Sequence, residues 1–183
     1  VYFKDSEDDA LQISGGIWGG STSVANMDLF LVLRPSQITA NKVFFASSDD
    51  AQNRFLAHLG YHNGSAYFDL GAISSNGRVQ ASNNGDIINY YRWEFYQSSG
   101  TAQTLLRNDT TLVNSSATSS FNSTGKNFQL SDGAFEGYMG EILYFQTALS
   151  LSEREIVRDY LDKKWNLNGG SSSGISSNIL YKP

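Results

Sequence analysis

Glu136 and Glu141 lie close enough along the chain to raise the question of acid–base chemistry on a sugar bond. Glycoside hydrolysis needs two carboxyl groups about 5 Å apart for retention, or about 6.5–9.5 Å apart for inversion. An odd separation on a regular strand sends the two side chains to opposite faces unless a bulge intervenes. They read better as separate surface carboxylates. His58 and His62 share a strand parity, but strand rise puts their Cα atoms about 13 Å apart, too far to chelate one metal. No Gly-x-Ser-x-Gly elbow occurs among the 26 serines, and no third partner completes a nucleophilic set. The chain reads as a non-enzyme, with no catalytic residue assigned.

Binding chemistry is better represented. Hard cations take several oxygens, and acidic loops supply them. Asp49, Asp50, Asp86 and Asp132 stand in expected loops and are the candidate metal ligands, with calcium as the cofactor they suit. The denser run Asp5-Ser-Glu-Asp-Asp9 reads as a solvated acidic loop, and no acidic cluster has EF-hand spacing. Sugar recognition asks for exposed rings to lie on C–H faces, with Asn, Asp and backbone groups for the hydroxyls. Trp18, within Gly15-Gly-Ile-Trp-Gly-Gly20, is the first candidate, because flanking glycines leave its ring open. The alternative is that this loop folds its tryptophan over one end of the domain. Tyr61, His62 and Asn63, at an expected turn, form a second ligand-binding group, with Tyr61 as core the alternative. Neither glycine run has phosphate-loop spacing.

The elements that must position these residues follow from composition. The chain has 183 residues, 40% of them hydrophobic, which suits one domain over residues 1–183 with a single core. It has no cysteine, so disulfide scaffolds, thiolate zinc sites and cysteine catalysis are excluded. A net charge of −5 leaves no electrostatic footprint for a phosphate backbone, so nucleic acid is not an expected partner. No apolar run is long enough to cross a membrane as a helix, so membrane insertion is not expected. The chain opens on Val1 without a signal-peptide pattern, and reads as a domain taken from a larger protein. With 26 Ser, 15 Asn, 9 Thr and 17 Gly, it is rich in turn formers, while 13% aromatic residues supply a core. The four Asn-x-Ser/Thr sequons, at Asn63, Asn108, Asn114 and Asn122, are what chance gives such a composition.

β-Branched and aromatic runs recur along the chain, separated by Asn63-Gly64, Asn76-Gly77, Asn84-Gly85 and Ser99-Gly100. Strands are predicted near 1–3, 11–14, 28–34, 42–46, 54–62, 66–70, 78–81, 91–97, 103–107, 111–114, 127–130, 137–146 and 179–181. In the strand at 91–97, Tyr91, Trp93 and Phe95 share one parity and point to the core. One helix is predicted, from Ser150 to Trp165, capped by Ser150 with Glu153 or Ser152 with Glu155. Its apolar stripe is Val157, Leu161 and Trp165 with Ile156 and Tyr160 alongside, which places it against an edge or end of a sandwich. A Gly/Ser loop over 168–177 and a last strand pairing with the first complete the reading. The expected fold is all-β, two antiparallel sheets with one short C-terminal helix.

The segment Phe135-Glu-Gly-Tyr-Met-Gly-Glu-Ile-Leu-Tyr-Phe-Gln-Thr-Ala-Leu-Ser150, followed by Tyr160-Leu-Asp-Lys-Lys-Trp165, resembles the end of concanavalin A-like (laminin G-like) jelly-roll domains. The stretch Tyr91-Arg-Trp-Glu-Phe95 and the later Leu105-Leu-Arg-Asn-Asp109 resemble that family's tryptophan-bearing hairpin, with Asn-Asp where Asn-Gly is usual. The resemblance implies a jelly-roll sandwich and end loops that often build calcium sites. It also implies a role in binding glycans or proteins outside cells. Glucanases of the same fold carry a Glu-x-Asp-x-x-Glu strand, and this sequence lacks it. The expected function is a non-catalytic binding module on a cell surface, in the extracellular space or on a virion, recognising a cell-surface glycan or protein in adhesion or host attachment. The alternative is a structural or assembly module of a large adhesin, viral fibre or capsid appendage, without a sugar ligand.

Overall fold

The computed structural model describes residues 2–3, 11–18, 21–36, 42–44, 50–59, 61, 64–73, 76–82, 89–98, 103–131 and 135–167. The predicted last strand at 179–181, the loop over 168–177, the acidic run 5–9 and the turns at 84–85 and 99–100 lie outside these residues.

The first half of the chain contributes β1 (Tyr2–Phe3), β2 (Leu11–Ile13), β3 (Ser23–Val24), β4 (Met27–Pro35), β5 (Lys42–Phe44), β6 (Arg54–Leu59), β7 (Ala66–Gly71) and β8 (Arg78–Ala81). The second half contributes β9 (Tyr91–Gln97), β10 (Gln103–Arg107), β11 (Thr110–Ser115), β12 (Phe121–Asn122), β13 (Phe128–Leu130), β14 (Gly137–Phe145) and the helix α1 (Leu151–Trp165). A six-stranded antiparallel sheet runs β1-β14-β4-β9-β10-β11, and a four-stranded one runs β5-β6-β7-β8. Two short ribbons, β3–β12 and β2–β13, add to them. β3 and β12 were not expected, because two-residue strands are too short to show an alternation.

Period two decides the core. Leu29, Leu31, Leu33, Trp93, Phe95 and Leu105 of the six-stranded sheet face Phe55, Ala57, Phe68, Leu70 and Val79 of the four-stranded one. The Phe68 and Phe95 rings stack with centroids 3.9 Å apart, joining the two layers. The expected core parity of Tyr91, Trp93 and Phe95 therefore holds. The turns use the residues that tolerate positive φ: Asn76 and Asn108 adopt it, so Asn108 does in the β10–β11 hairpin what Asn-Gly does elsewhere.

The helix differs from expectation in placement. It lies across the outer face of the six-stranded sheet, where Leu161 and Val157 pack on Phe30, Val32 and Leu143, instead of at an edge or end. Ile156 and Tyr160, placed beside the apolar stripe by sequence, are 64% and 45% exposed. Sheet residues that a helix covers cannot be told from solvent-facing ones by alternation, and here they are charged. Arg158 grips the buried Glu94 through two bonds of 2.7 and 2.9 Å. Arg92, fully buried, is paired with Asp109 at 2.6 Å and with Asp162. Of the two capping boxes, Ser150 with Glu153 is the one formed. The bonds to the Ser150 hydroxyl and amide hold the Glu153 carboxyl below its ordinary range.

Candidate functional site

β14 carries a bulge: its register with β4 breaks between Met139 and Glu141. The extra residue reverses parity, so Met139 faces the core while Glu141 comes round to the helix side. There its carboxylate accepts from Tyr160 Oη at 2.9 Å and Trp165 Nε1 at 3.0 Å, beside Lys164 Nζ at 2.9 Å. Burial pushes its pKa up, but these three donors outweigh it and hold the carboxyl below its usual value. Glu136 accepts from Tyr2 Oη at 3.3 Å at the sheet edge. The pair thus shares a side through the bulge, and Glu141 is committed to anchoring the helix.

Trp18 corrects the first sugar-binding expectation. Its ring is 4% exposed and packs among Phe55, Phe121, Phe128 and Tyr144, with centroids 5.5–6.3 Å away. Its Nε1 donates to the Lys126 carbonyl at 3.0 Å. A Cβ on Gly16 would sit 2.0 Å from that Nε1, so the glycine lets the backbone pass over the ring instead of opening it. Trp18 is a core residue and presents no face to a ligand.

Of the second group, Tyr61 alone falls among the described residues. Tyr61 begins the β6–β7 turn, where its carbonyl accepts from Gly64 N at 2.7 Å and its amide donates to the Ser65 carbonyl at 2.9 Å. This folds its ring back to 5.1 Å from His58 and 5.4 Å from Tyr67. His62 and Asn63 lie outside the described residues. Tyr67 was missed by sequence. It pairs across the outer face of the four-stranded sheet with His58 on one side and Gln80 on the other. The next row on that face holds Leu56, Asp69 and Arg78.

Asp69 organises this face. It is fully buried and accepts from Arg54 Nη2 at 2.6 Å and from Arg78 Nε and Nη2 at 2.6 and 2.8 Å. The Asp69 bonds raise the Arg78 pKa above its ordinary value. Held this way, the guanidinium lies 4.8 Å from the Tyr67 ring centroid, a cation–π contact that fixes the ring. Two guanidinium groups thus share the one Asp69 carboxylate. The half-buried Tyr61, Tyr67 and Arg78 and the exposed Gln80 are the part of this face that reaches solvent, beside Arg54, Leu56, His58 and Asp69, which are buried. The signal that locates them is the alternation in Tyr67, Asp69 and in Arg78, Gln80, polar residues sharing a parity on adjacent strands.

Solved structures provide the comparison. Domain 4 of AbnA, a GH43 extracellular arabinanase from Geobacillus stearothermophilus, solved in complex with arabinotriose, superposes with a TM-score of 0.62 at 15% identity, over 83% of this chain and 72% of that one. The CBM40 of the Ruminococcus gnavus IT-sialidase superposes with a TM-score of 0.55 at 12% identity, over 82% of this chain and 96% of its own. A heptameric SAP-like pentraxin from Limulus polyphemus gives 0.51 at 11% identity, over 82% of each chain. This chain is a jelly-roll β-sandwich. No protein-family model matches its sequence, and no curated protein does. The superpositions show a fold shared with a domain solved with arabinotriose and with a CBM40, and at 11–15% identity they show the fold alone.

Of the candidate metal ligands only Asp50 falls among the described residues; Asp49, Asp86 and Asp132 lie outside them. The Asp50 carboxylate accepts from Gln52 N at 2.9 Å, closing a turn of its own. Among the described residues no three His, Cys, Asp or Glu side chains gather as a metal-ion group.

Proposed function

We propose that this domain is a non-catalytic carbohydrate-binding module whose ligand lies on the outer face of the four-stranded sheet, across Tyr61, Tyr67, Arg78 and Gln80. The observation that carries the reading is the Asp69–Arg78–Tyr67 arrangement. A buried carboxylate fixes a guanidinium, and the guanidinium fixes an aromatic ring at a sheet surface. Fixed rings with convergent polar groups suit saccharides, because little conformational freedom is lost on binding. The arabinotriose complex of the arabinanase domain and the sialyllactose complex of the R. gnavus CBM40 support the ligand class. In keeping with that extracellular enzyme, we place the module outside the cell, as one part of a larger adhesive or virion protein.

A glycan array, followed by titration of the hits together with arabinotriose and α2,3-sialyllactose, tests the proposal. Tyr67→Ala is expected to weaken the best ligand by about tenfold or more, as truncating an anchoring aromatic does. Gln80→Ala, exposed and remote from the core, is expected to weaken it less and leave the melting temperature alone. Binding of equal strength in parent and Tyr67→Ala overturns the reading.

A further inference from the structure

Among the described residues, β14 is paired with β4 along its length but with β1 only at Gly137 and Tyr138. Near the unpaired stretch runs a groove of about 710 Å³, lined by Leu11, Ile13, Phe128, Leu130, Ile142 and Phe145. Leu11 and Ile13, on the β2 side, are 53% and 47% exposed. A smaller notch of about 230 Å³ adjoins it, with Tyr144 and Gln146 lining both. Ser21, Ser23 and Asn26 make the notch polar. Among the described lining residues of either space, none is charged.

We propose that groove and notch together form a second binding site, separate from the Tyr67 face, for a neutral amphiphile: an apolar body in the groove and a hydroxyl-bearing head at Asn26 and Gln146. The volume lies within the range of small-molecule sites, which are mostly apolar with a few placed polar groups. Apolar lining and exposed aliphatic side chains reward an alkyl or ring body by the water they release. The head is selected by the other end. The Asn26 and Gln146 side chains are exposed and make no hydrogen bond with the described residues, and each amide both donates and accepts, as a hydroxyl does. A sulfate head there finds no counter-charge among those lining residues and meets a chain of net charge −5.

The test is amide chemical-shift mapping of the whole chain with n-octyl β-D-glucoside below its micelle threshold, against methyl β-D-glucoside and octyl sulfate. Saturable shifts are expected at Ile13, Ile142 and Gln146 with the octyl glucoside. The methyl glucoside is expected to bind the groove roughly a hundredfold more weakly, as the loss of several buried methylenes requires. Octyl sulfate is expected to bind more weakly than the octyl glucoside in the parent, and Gln146→Ala to narrow that difference. Ile13→Glu, at an exposed position, should abolish the groove shifts while the fold and any glycan shifts at Tyr67 persist, which separates this site from the proposed sugar face. No saturable groove shift overturns the proposal, and so does equal binding of the two glucosides. Binding that appears only after truncation beyond Leu167 also overturns it, by showing that the chain's own C-terminal segment is the occupant.

Discussion

Trp18→Ala separates core from site more sharply than any other single change. The ring is 4% exposed and meets Phe55, Phe121, Phe128 and Tyr144, so its removal leaves a cavity where the β3–β12 ribbon meets the sandwich interior. Truncating a buried tryptophan costs about 3–5 kcal/mol. For a domain of this length each kcal/mol moves the melting temperature by roughly 2–4 °C, so the fall is roughly 6–20 °C. Trp18→Phe keeps most of the packing but leaves the Lys126 carbonyl without its 3.0 Å donor, at a cost of about 1 kcal/mol beyond the lost ring area. Thermal melting by circular dichroism reads both variants. Glycan titration at a temperature where both remain folded should match the parent. A Trp18→Ala protein that melts within a degree of the parent and has lost its sugar ligand would refute the reasoning, by showing that the ring serves the ligand and not the core.

Burial pushes the Asp28 carboxyl up to about 7, against the lowering effect of its bond from Leu149 N and the charges of Arg154 and Arg158; Glu94 adds to the rise. The folded state then holds a proton that the unfolded chain has released, so stability falls as pH rises from about 4 to about 7, by about 4 kcal/mol in all. Asp28→Asn should flatten the melting temperature between pH 5 and pH 8, and parallel profiles for parent and variant contradict this origin of the slope. Gly140→Ala puts a Cβ 2.7 Å from Trp165 Cη2, which overpacks the helix end by about 1–3 kcal/mol. Trp165→Leu in the same chain should recover part of the loss, and an additive double mutant rules the clash out. Arg158→Ala strands the buried Glu94 charge at about 3–5 kcal/mol, whereas exchanging both residues for methionine should cost less, as urea unfolding would report.

The sandwich was legible because most strands obey period two and are separated by residues suited to positive φ. The helix was legible from its capping box and its Val157–Leu161–Trp165 spacing. Its seat was not, since Arg92 and Glu94 look like solvent-facing residues until a helix with matching charges at Arg158 and Asp162 covers them. Trp18 was misread because glycines beside a tryptophan serve either an open ring or a backbone crossing over a closed one, and only Gly16's contact distinguishes the two. Tyr61 stands at the turn the sequence predicts, and its place on a ligand face is part of the proposal. Tyr67 was not singled out, because its setting depends on Asp69 and Arg78, and Arg78 meets it only through the pairing of β7 with β8.

The central claim, that sugar binds on the outer face of the four-stranded sheet, is tested most directly by mapping amide shifts of the parent protein with its best glycan-array ligand. Saturable shifts are expected to gather at Tyr61, Tyr67, Arg78 and Gln80 and to disappear in Tyr67→Ala. Shifts gathered elsewhere, or no glycan moving any amide at millimolar concentration, would contradict it.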